Sequence, residues 1–268
     1  MADIARLSIN QITVRDWTLE QAAAGLARHG IGGIGLWVDK VEEAGLPRTV
    51  ELLGQHDLAV SSICRAGFFT GAGAGDGVSD DNKRAIEIAH TVGADCLYIV
   101  CGALGADNDL PGARRKALEG LAAMAPLAQE SGVALALEPL HPSMTADRCV
   151  VVTLDQALDM LDEIASPALG VAVDSYNVWW DPRLAAAIER AGKRVISYQV
   201  CDWLVPQPHP TFGRGIPGDG VIDFASMTEA VARAGYSGPI EVEIFNEEIW
   251  SRDPDDVLAA VAASFAVV

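Results

Sequence analysis

Short runs of β-branched and apolar residues alternate with longer amphipathic segments along the whole chain. Such short runs, bounded by polar and glycine-rich stretches, are typical of buried strands, whereas the longer segments have helical periodicity. A glycine commonly ends a helical segment, where it suits the position just past a helix C-terminus. The pattern predicts eight strands, at residues 5–10, 34–38, 59–64, 96–101, 133–138, 170–174, 195–201 and 240–245.

Helical segments separate these strands. Several of them follow a side chain that can accept a hydrogen bond from the first helical N–H groups, among them Asp16, Thr153 and Asp223. No composition break or Pro/Gly/Ser linker divides the chain. The alternation predicts one domain over residues 1–268, a single (β/α)8 TIM barrel of the α/β class, rather than a doubly wound sheet with a second domain. The clearest helical segments are 18–28, 81–91, 113–129, 154–164, 184–190, 224–234 and 254–266.

The longest interruptions of this pattern all follow a strand rather than a helix. They span residues 68–77, 103–112, 141–151 and 203–222. In a parallel barrel, the loops that follow strands lie together at the carboxyl ends of the strands, which is the face that carries the active sites of TIM-barrel enzymes. We therefore expect a functional site on this face.

Alternation along the later strands separates side chains that face the helices from those that face the barrel axis. In the fifth strand Val133, Leu135 and Leu137 share the bulky face, which leaves Glu138 at the end of the inward face. Polar side chains from four consecutive strands are therefore expected to converge at one end of the barrel. By the same rule, the inward-facing polar residues of the next three strands are Asp174, Gln199, Glu241 and Glu243.

The convergence of Glu138, Asp174 and Glu243 requires protonation or a cation, because buried charges of like sign repel strongly. A divalent metal would satisfy all three carboxylates, and an amide oxygen from Gln199 favours a hard ion such as Mn²⁺ or Mg²⁺. A network in which the acids pair with arginine is the alternative. Of the two, we favour the shared metal.

The net charge of the chain narrows the classes of partner. Its 268 residues include 37 acidic and 19 basic side chains, which give a formal charge of −18. A surface this negative repels polyphosphate and anionic lipid, so the charge disfavours nucleic acid and membrane as partners. The five cysteines show no CxxC spacing and indicate neither a disulfide framework nor a structural zinc site. Without a targeting segment or an apolar stretch of about 18 residues, the chain is expected to be cytoplasmic.

Several segments together carry a resemblance to a known family over essentially the whole chain. They are LALEPLHP, VAVDSYNVWWDP, YQVCDW, GRGIPGDGVID and EVEIF. With them the chain resembles the xylose isomerase-like TIM-barrel superfamily, and within it the sugar phosphate isomerase/epimerase family of ketose 3-epimerases and inosose isomerases. The resemblance implies a divalent metal, with Mn²⁺ preferred, Mg²⁺ and Co²⁺ as alternatives and Zn²⁺ less favoured. The metal-ligand positions of the family fall on Glu138, Asp174, Gln199 and Glu243.

This chain departs from the pattern of the family at two positions. Relatives commonly have histidine where Gln199 stands, and a second histidine at the position of Asn177. An amide can still bind a metal through its oxygen, but the loss of an imidazole makes zinc less attractive. Endonuclease IV shares this barrel, yet the charge of −18 does not suit a protein that holds DNA phosphates.

Further polar and aromatic residues lie in the predicted loops around the site. They are expected to orient substrate hydroxyls or to stack on a sugar ring. Because no lysine and no clear basic pair is apparent among them, we expect an unphosphorylated substrate. The candidate substrate-binding residues are His141, Asn177, Arg65, Arg214, Trp37 and Trp179.

We therefore expect a metal-dependent isomerase or epimerase that acts on a keto sugar or keto cyclitol through an ene-diolate, with Glu138 and Glu243 as its acid/base pair. Two alternatives remain open. The same enolate could expel a β-substituent, which would make the protein a dehydratase or a lyase of 3-keto-glycosides or inosose. Alternatively, Asn177 and Gln199 would mark a degenerate metal site in a non-catalytic sugar-binding or partner subunit. Barrels of this kind often pair, so a homo-oligomer is compatible with the sequence.

Overall fold

Eight strands pair in chain order, each parallel to its neighbours, and the last strand returns to pair with the first, where Leu7 lies opposite Ile240. The computed structural model describes residues 3–268, and it confirms the (β/α)8 barrel. The barrel strands are β1 (Leu7–Asn10), β2 (Gly33–Trp37), β3 (Ala59–Thr70), β4 (Leu97–Gly102), β5 (Leu135–Leu137), β6 (Leu169–Asp174), β7 (Val195–Val200) and β10 (Ile240–Val242). A separate antiparallel pair is formed by β8 (Asp202–Trp203) and β9 (Arg214–Gly215).

Helices alternate with the strands along the chain and pack against them. The α-helices are α1 (Leu19–Arg28), α2 (Val38–Ala44), α3 (Leu46–Gln55), α4 (Asp80–Val92), α5 (Leu110–Ser131), α6 (Leu154–Ile164), α7 (Ser175–Val178), α8 (Leu184–Ala191), α9 (Phe224–Arg233), α10 (Glu247–Trp250) and α11 (Pro254–Ser264). Short 3₁₀ helices lie at Ile4–Arg6, Gln11–Val14, Pro142–Met144, Gly192–Arg194 and Phe265–Val267.

Capping side chains begin several helices as expected, with one correction. Thr153 accepts from the backbone N–H of Gln156 at the start of α6, and Asp223 caps α9. The cap of α1, however, is Thr18, whose side chain and that of Gln21 satisfy each other's backbone N–H groups. The expectation for Asp16 was therefore wrong, because this reciprocal pair starts the helix two residues later.

Two strand ends that matter for the site are shorter than the sequence predicts. β5 and β10 end at Leu137 and Val242, so Glu138 and Glu243 directly follow their strands. The backbone pairing nevertheless continues, because Glu138 N–H donates to the Ile99 carbonyl at 3.0 Å. Both carboxylates therefore keep the inward direction that strand alternation gives them.

The interior of the barrel contains a buried carboxylate, Glu241, surrounded by hydrogen-bond donors. Its Oε1 accepts from Asn10 Nδ2 and Gln199 Nε2, each at 2.7 Å. Its Oε2 accepts from the hydroxyls of Ser61 at 2.5 Å and Ser62 at 2.7 Å. Four donors from β1, β3 and β7 thus satisfy one charge, as burial of a carboxylate requires.

The connection between β7 and α9 is folded around a single aspartate. Asp202 accepts hydrogen bonds from the backbone N–H groups of Gly218, Gly220 and Ile222 at 2.8 to 3.1 Å. These contacts fold the GRGIPGDG segment back towards the barrel, and the β8–β9 pairing fixes its beginning. Arg214 is thereby directed into the interior, where its side chain is buried.

All five cysteines are buried and have free thiols in the structure. Within residues 3–268, no helix combines the length and the hydrophobicity that crossing a membrane would require.

Candidate active site

The buried guanidinium of Arg214 joins two carboxylates at the carboxyl end of the barrel. Its Nη1 donates to Glu243 Oε2 at 2.8 Å and to Asp174 Oδ2 at 3.3 Å. All three residues are at most 5% exposed. The guanidinium also lies 4.7 Å from the ring centroids of both Tyr176 and Phe245, which hold its plane between two aromatic faces.

Asn177, from the one-turn helix α7, connects the third carboxylate to the same group. Its Nδ2 donates to Asp174 Oδ2 at 2.6 Å and to Glu138 Oε1 at 3.0 Å. Its Oδ1 accepts from the backbone N–H of His141 at 3.2 Å. Asn177 is fully buried, so its position suits holding the carboxylates in place rather than the predicted contact with substrate.

Gln199 lies beside these acids, and only one of the two polar atoms of its amide has a hydrogen-bond partner. Nε2 donates to Glu241, while Oε1 is buried without a hydrogen-bond partner among the described residues. The opposite orientation would place the amide oxygen against a carboxylate, so Glu241 fixes which atom faces away from it. Gln199 therefore presents an unsatisfied oxygen in the barrel interior.

Burial dominates the electrostatics of the three carboxylates. It is the largest cause that raises the pKa of Glu138 well above its usual value, and repulsion from Asp174 and Glu243 adds to it. Burial likewise raises the pKa of Glu243 to about 7, although the charge of Arg214 opposes the shift. One guanidinium thus neutralises only part of the charge that three ionised carboxylates would carry, so the group favours uptake of a proton or a second cation.

Arg214 contacts two of these acids, Asp174 and Glu243. No set of three or more His, Cys, Asp or Glu residues between residues 3 and 268 adopts the arrangement of a metal site. The donor chemistry nevertheless fits a hard divalent ion, because the carboxylates and the unsatisfied Gln199 Oε1 are all oxygen ligands.

A cleft opens above the carboxylates, and several predicted residues line it. Trp37 is one of them, with its indole N–H fixed by Asn10 Oδ1 at 2.7 Å. Arg65 lies 5.2 Å from the ring centroids of Trp37 and Phe68. Residues of the cleft that the sequence had not singled out include Cys64, Tyr98, Leu140, Met144, Arg148, Thr211 and Phe245.

The expectation of no basic pair was wrong, because Arg65 and Arg148 line the same cleft. Burial is the largest cause that lowers the pKa of Arg148, and repulsion from Arg65 adds to it. Arg148 lies in the predicted loop 141–151 at the carboxyl end of the barrel, and this position was the only feature of the sequence that could have pointed to it. Strand periodicity says nothing about side chains in such a loop.

Three predicted substrate-binding residues do not line the cleft, namely Asn177, Trp179 and His141. Trp179 packs on Trp203 with their centroids 5.6 Å apart and lines a separate groove between α8 and α9. His141 also packs on Trp203, at 4.7 Å, and its Nδ1 lies 2.8 Å from the hydroxyl of Ser143. His141 is half-buried, and this burial lowers its pKa below 6.5.

Two curated relatives resemble this chain over more than half of its length. Inosose isomerase of Bacillus velezensis is 24% identical over 66% of this chain and 62% of its own length. L-ribulose 3-epimerase of Methylomonas sp. is 26% identical over 87% of this chain and 83% of its own.

Solved structures show the same barrel. Protein SMc04130 of Sinorhizobium meliloti superposes with a TM-score of 0.93 at 40% identity, and the match covers 98% of both chains. The IOLI protein with a binding zinc atom gives a TM-score of 0.81 at 20% identity, also over 98% of both chains. A family model described as xylose isomerase-like TIM barrel matches residues 23–265. The chain therefore belongs to the xylose isomerase-like TIM-barrel family.

Proposed function

We propose that this protein is a metal-dependent isomerase or epimerase of a keto sugar or keto cyclitol. The observation that carries the proposal is the pair of buried carboxylates, Glu138 and Glu243, which line one cleft. Burial raises the pKa of Glu138 well above its usual value and raises the pKa of Glu243 to about 7. A carboxyl group with a pKa near the working pH can both accept and donate a proton. The similarity to inosose isomerase and L-ribulose 3-epimerase supports this class of reaction.

In the proposed reaction, Glu138 and Glu243 move the proton on the carbon next to the substrate carbonyl. One carboxylate removes the proton, and the other, in its protonated form, delivers one. Transfer between the two faces of that carbon inverts it, whereas transfer to the neighbouring carbon exchanges aldose and ketose. Arg214 holds Glu243 in position through its 2.8 Å contact, and Asn177 holds Glu138 through its 3.0 Å contact.

The residues proposed to hold the metal are Glu138, Asp174, Gln199 and Glu243. The unsatisfied Gln199 Oε1 supports this set, because a buried oxygen without a donor is suited to a cation. The all-oxygen ligands favour Mn²⁺, and the zinc-bound IOLI relative keeps Zn²⁺ as an alternative. When bound, the ion supplies a Lewis acid that polarises the carbonyl oxygen.

The aromatic wall of the cleft provides a surface for the substrate. Trp37 and Phe245 lie edge to face, with centroids 5.8 Å apart, and both line the cleft. Such rings pack on the C–H face of a sugar and exclude water from the carbon that loses its proton.

Product analysis tests the proposal. Protein supplied with Mn²⁺ is incubated with a panel of keto sugars and keto cyclitols, and the products are identified by NMR. An epimer or an aldose–ketose pair that Glu138→Gln no longer forms is the expected result. An ultraviolet-absorbing enone or a released aglycone would instead identify an eliminating enzyme. Unchanged substrate throughout, with a metal-free protein, would favour a sugar-binding subunit.

A further inference from the structure

Arg65 and Arg148 place positive charge in the cleft without a protein counter-ion. Both side chains are half-buried and line the cleft together with Glu138, Arg214 and Glu243. Among residues 3–268, neither guanidinium has a carboxylate oxygen within 4.0 Å or a side-chain hydrogen bond to an acceptor. Arg214, by contrast, contacts two carboxylates.

The other half-buried arginines have a hydrogen-bond acceptor in the protein. Arg6 and Arg114 donate to the backbone carbonyls of Gly238 and Val150. The side chains of Arg190 and Arg194 are 35% and 34% exposed, and both form ion pairs with Asp162. In a chain with a formal charge of −18, acidic partners are abundant. Arg65 and Arg148 therefore differ from these arginines, and a shortage of acidic side chains in the protein does not explain why they are unpaired.

The two arginines are also close enough to affect each other. The pKa of Arg148 is lowered first by burial and then by the charges of Arg65 and Arg214. Partial desolvation and mutual repulsion both disfavour two cations at this position, and an anion between them would relieve both. The guanidinium of Arg65 lies against the rings of Trp37 and Phe68. In this position its N–H groups can still donate hydrogen bonds to an anion.

We propose that Arg65 and Arg148 bind an oxyanion group of the substrate, either a carboxylate or a phosphate. The proposal rests on the function proposed above, because it places the sugar in the same cleft, and it narrows the substrate to an acidic sugar or a sugar phosphate. Each guanidinium can donate two parallel hydrogen bonds to such a group, which sets the orientation of the chain of carbons relative to Glu138 and Glu243.

The test measures binding with ligands that cannot react, so that it is independent of turnover. D-gluconate, D-glucitol 6-phosphate and D-glucitol share a six-carbon hydroxylated chain and lack an aldehyde or ketone group. They end in a carboxylate, a phosphate and a hydroxyl, respectively. Calorimetric titration of the Mn²⁺-supplied protein is expected to show at least tenfold tighter binding of an anionic polyol than of D-glucitol. Tighter binding of D-gluconate alone identifies a carboxylate, and that of D-glucitol 6-phosphate alone identifies a phosphate.

Variants assign the effect to the two arginines. Arg65→Met and Arg148→Met should each weaken binding of the preferred anion about tenfold or more, since each removes a charge-assisted contact. Arg148→Lys should retain part of the affinity, and Arg252→Met, which changes an exposed arginine elsewhere, should leave it unchanged. Circular dichroism and melting temperatures confirm that the variants fold.

Equal binding of all three polyols, no binding of either anion in the millimolar range, or wild-type affinity in both methionine variants would overturn the proposal. None of these outcomes bears on proton transfer by Glu138 and Glu243. Conversely, if the protein binds the anions tightly but converts no keto sugar, the anion site is supported and the proposed isomerase or epimerase function is rejected.

Discussion

Gln199 Nε2 donates a 2.7 Å hydrogen bond to Glu241 Oε1, and this contact leaves the amide oxygen of Gln199 buried and unsatisfied. Glu241 is itself held by Asn10, Ser61 and Ser62, so it cannot follow a rotating amide. The carboxylate of Glu241 thereby sets which atom of Gln199, a proposed metal ligand, is left without a hydrogen-bond partner. The substitution of histidine by glutamine is then compatible with metal binding, because the oxygen is presented in a fixed direction.

Replacement of Glu241 should weaken metal binding although Glu241 is not a proposed ligand. Glu241→Gln removes the charge that orients the Gln199 amide, and loss of such support typically reduces metal affinity about 10- to 100-fold. Ser62→Ala is the matched control, because it removes one hydrogen bond to Glu241 and leaves the carboxylate. Calorimetric titration with Mn²⁺ measures the change. Unaltered affinity in Glu241→Gln would show that the amide orientation does not matter for the metal.

Loss of Arg214 should have different consequences with and without metal. In EDTA, Arg214→Met leaves Asp174 and Glu243 buried without their counter-ion, which should lower the free energy of unfolding by about 3–5 kcal/mol. Saturating Mn²⁺ should restore part of this loss, because it binds the native carboxylates. Arg194→Met, which breaks a partly exposed ion pair with Asp162, should cost about 1 kcal/mol or less in either condition. Urea unfolding provides the measurement, and an Arg214→Met variant as stable in EDTA as the wild type would contradict this role.

Gly35 on β2 should not tolerate a side chain. A Cβ at this position would lie 2.5 Å from Glu241 Oε1, and four hydrogen bonds prevent the carboxylate from moving away. Gly35→Ala is expected to destabilise the protein by about 1–3 kcal/mol, as overpacking does in other interiors. Gly32→Ala is the control, since its Cβ would meet nothing within 4 Å. Chemical denaturation of both variants is the measurement, and equal stability would place Glu241 elsewhere.

His141 should titrate below its ordinary range. Burial lowers its pKa from 6.5, so the folded protein keeps the ring neutral at a pH where the unfolded chain protonates it. The unfolded state then binds more protons, and the contribution of His141 to stability declines as the pH falls through 6.5. NMR titration of the ring resonances, assigned with His141→Gln, gives the midpoint. A midpoint above 6.5 would reverse the predicted sign.

The barrel and its inward polar residues could be predicted because strand alternation has a period of two. Bulky Leu135, Leu137 and Val173 are fully buried, and the alternate row carries Glu138 and Asp174 into one group. Each of these positions depends only on its own strand and on the shared direction of parallel strands.

The pairing within the site could not be predicted in the same way. Arg214 reaches Asp174 and Glu243 only because Asp202 folds a long loop back into the barrel, and Arg148 enters the cleft from another loop. Trp179 was assigned to the cleft because it follows a strand closely, but the turn of α7 directs it onto Trp203 instead. Such contacts depend on loop paths and side-chain rotamers, which leave no periodic signal in the sequence.

The most direct test of the account is the exchange of the substrate α-proton with solvent. Protein supplied with Mn²⁺ is incubated in D₂O with keto sugars, including acidic and phosphorylated ones, and the α-proton signal is followed by NMR. We predict that deuterium enters the α position, and that Glu138→Gln and Glu243→Gln each abolish or severely slow its entry. Absence of exchange with every keto sugar, or exchange that survives both substitutions, would contradict proton transfer by these two carboxylates.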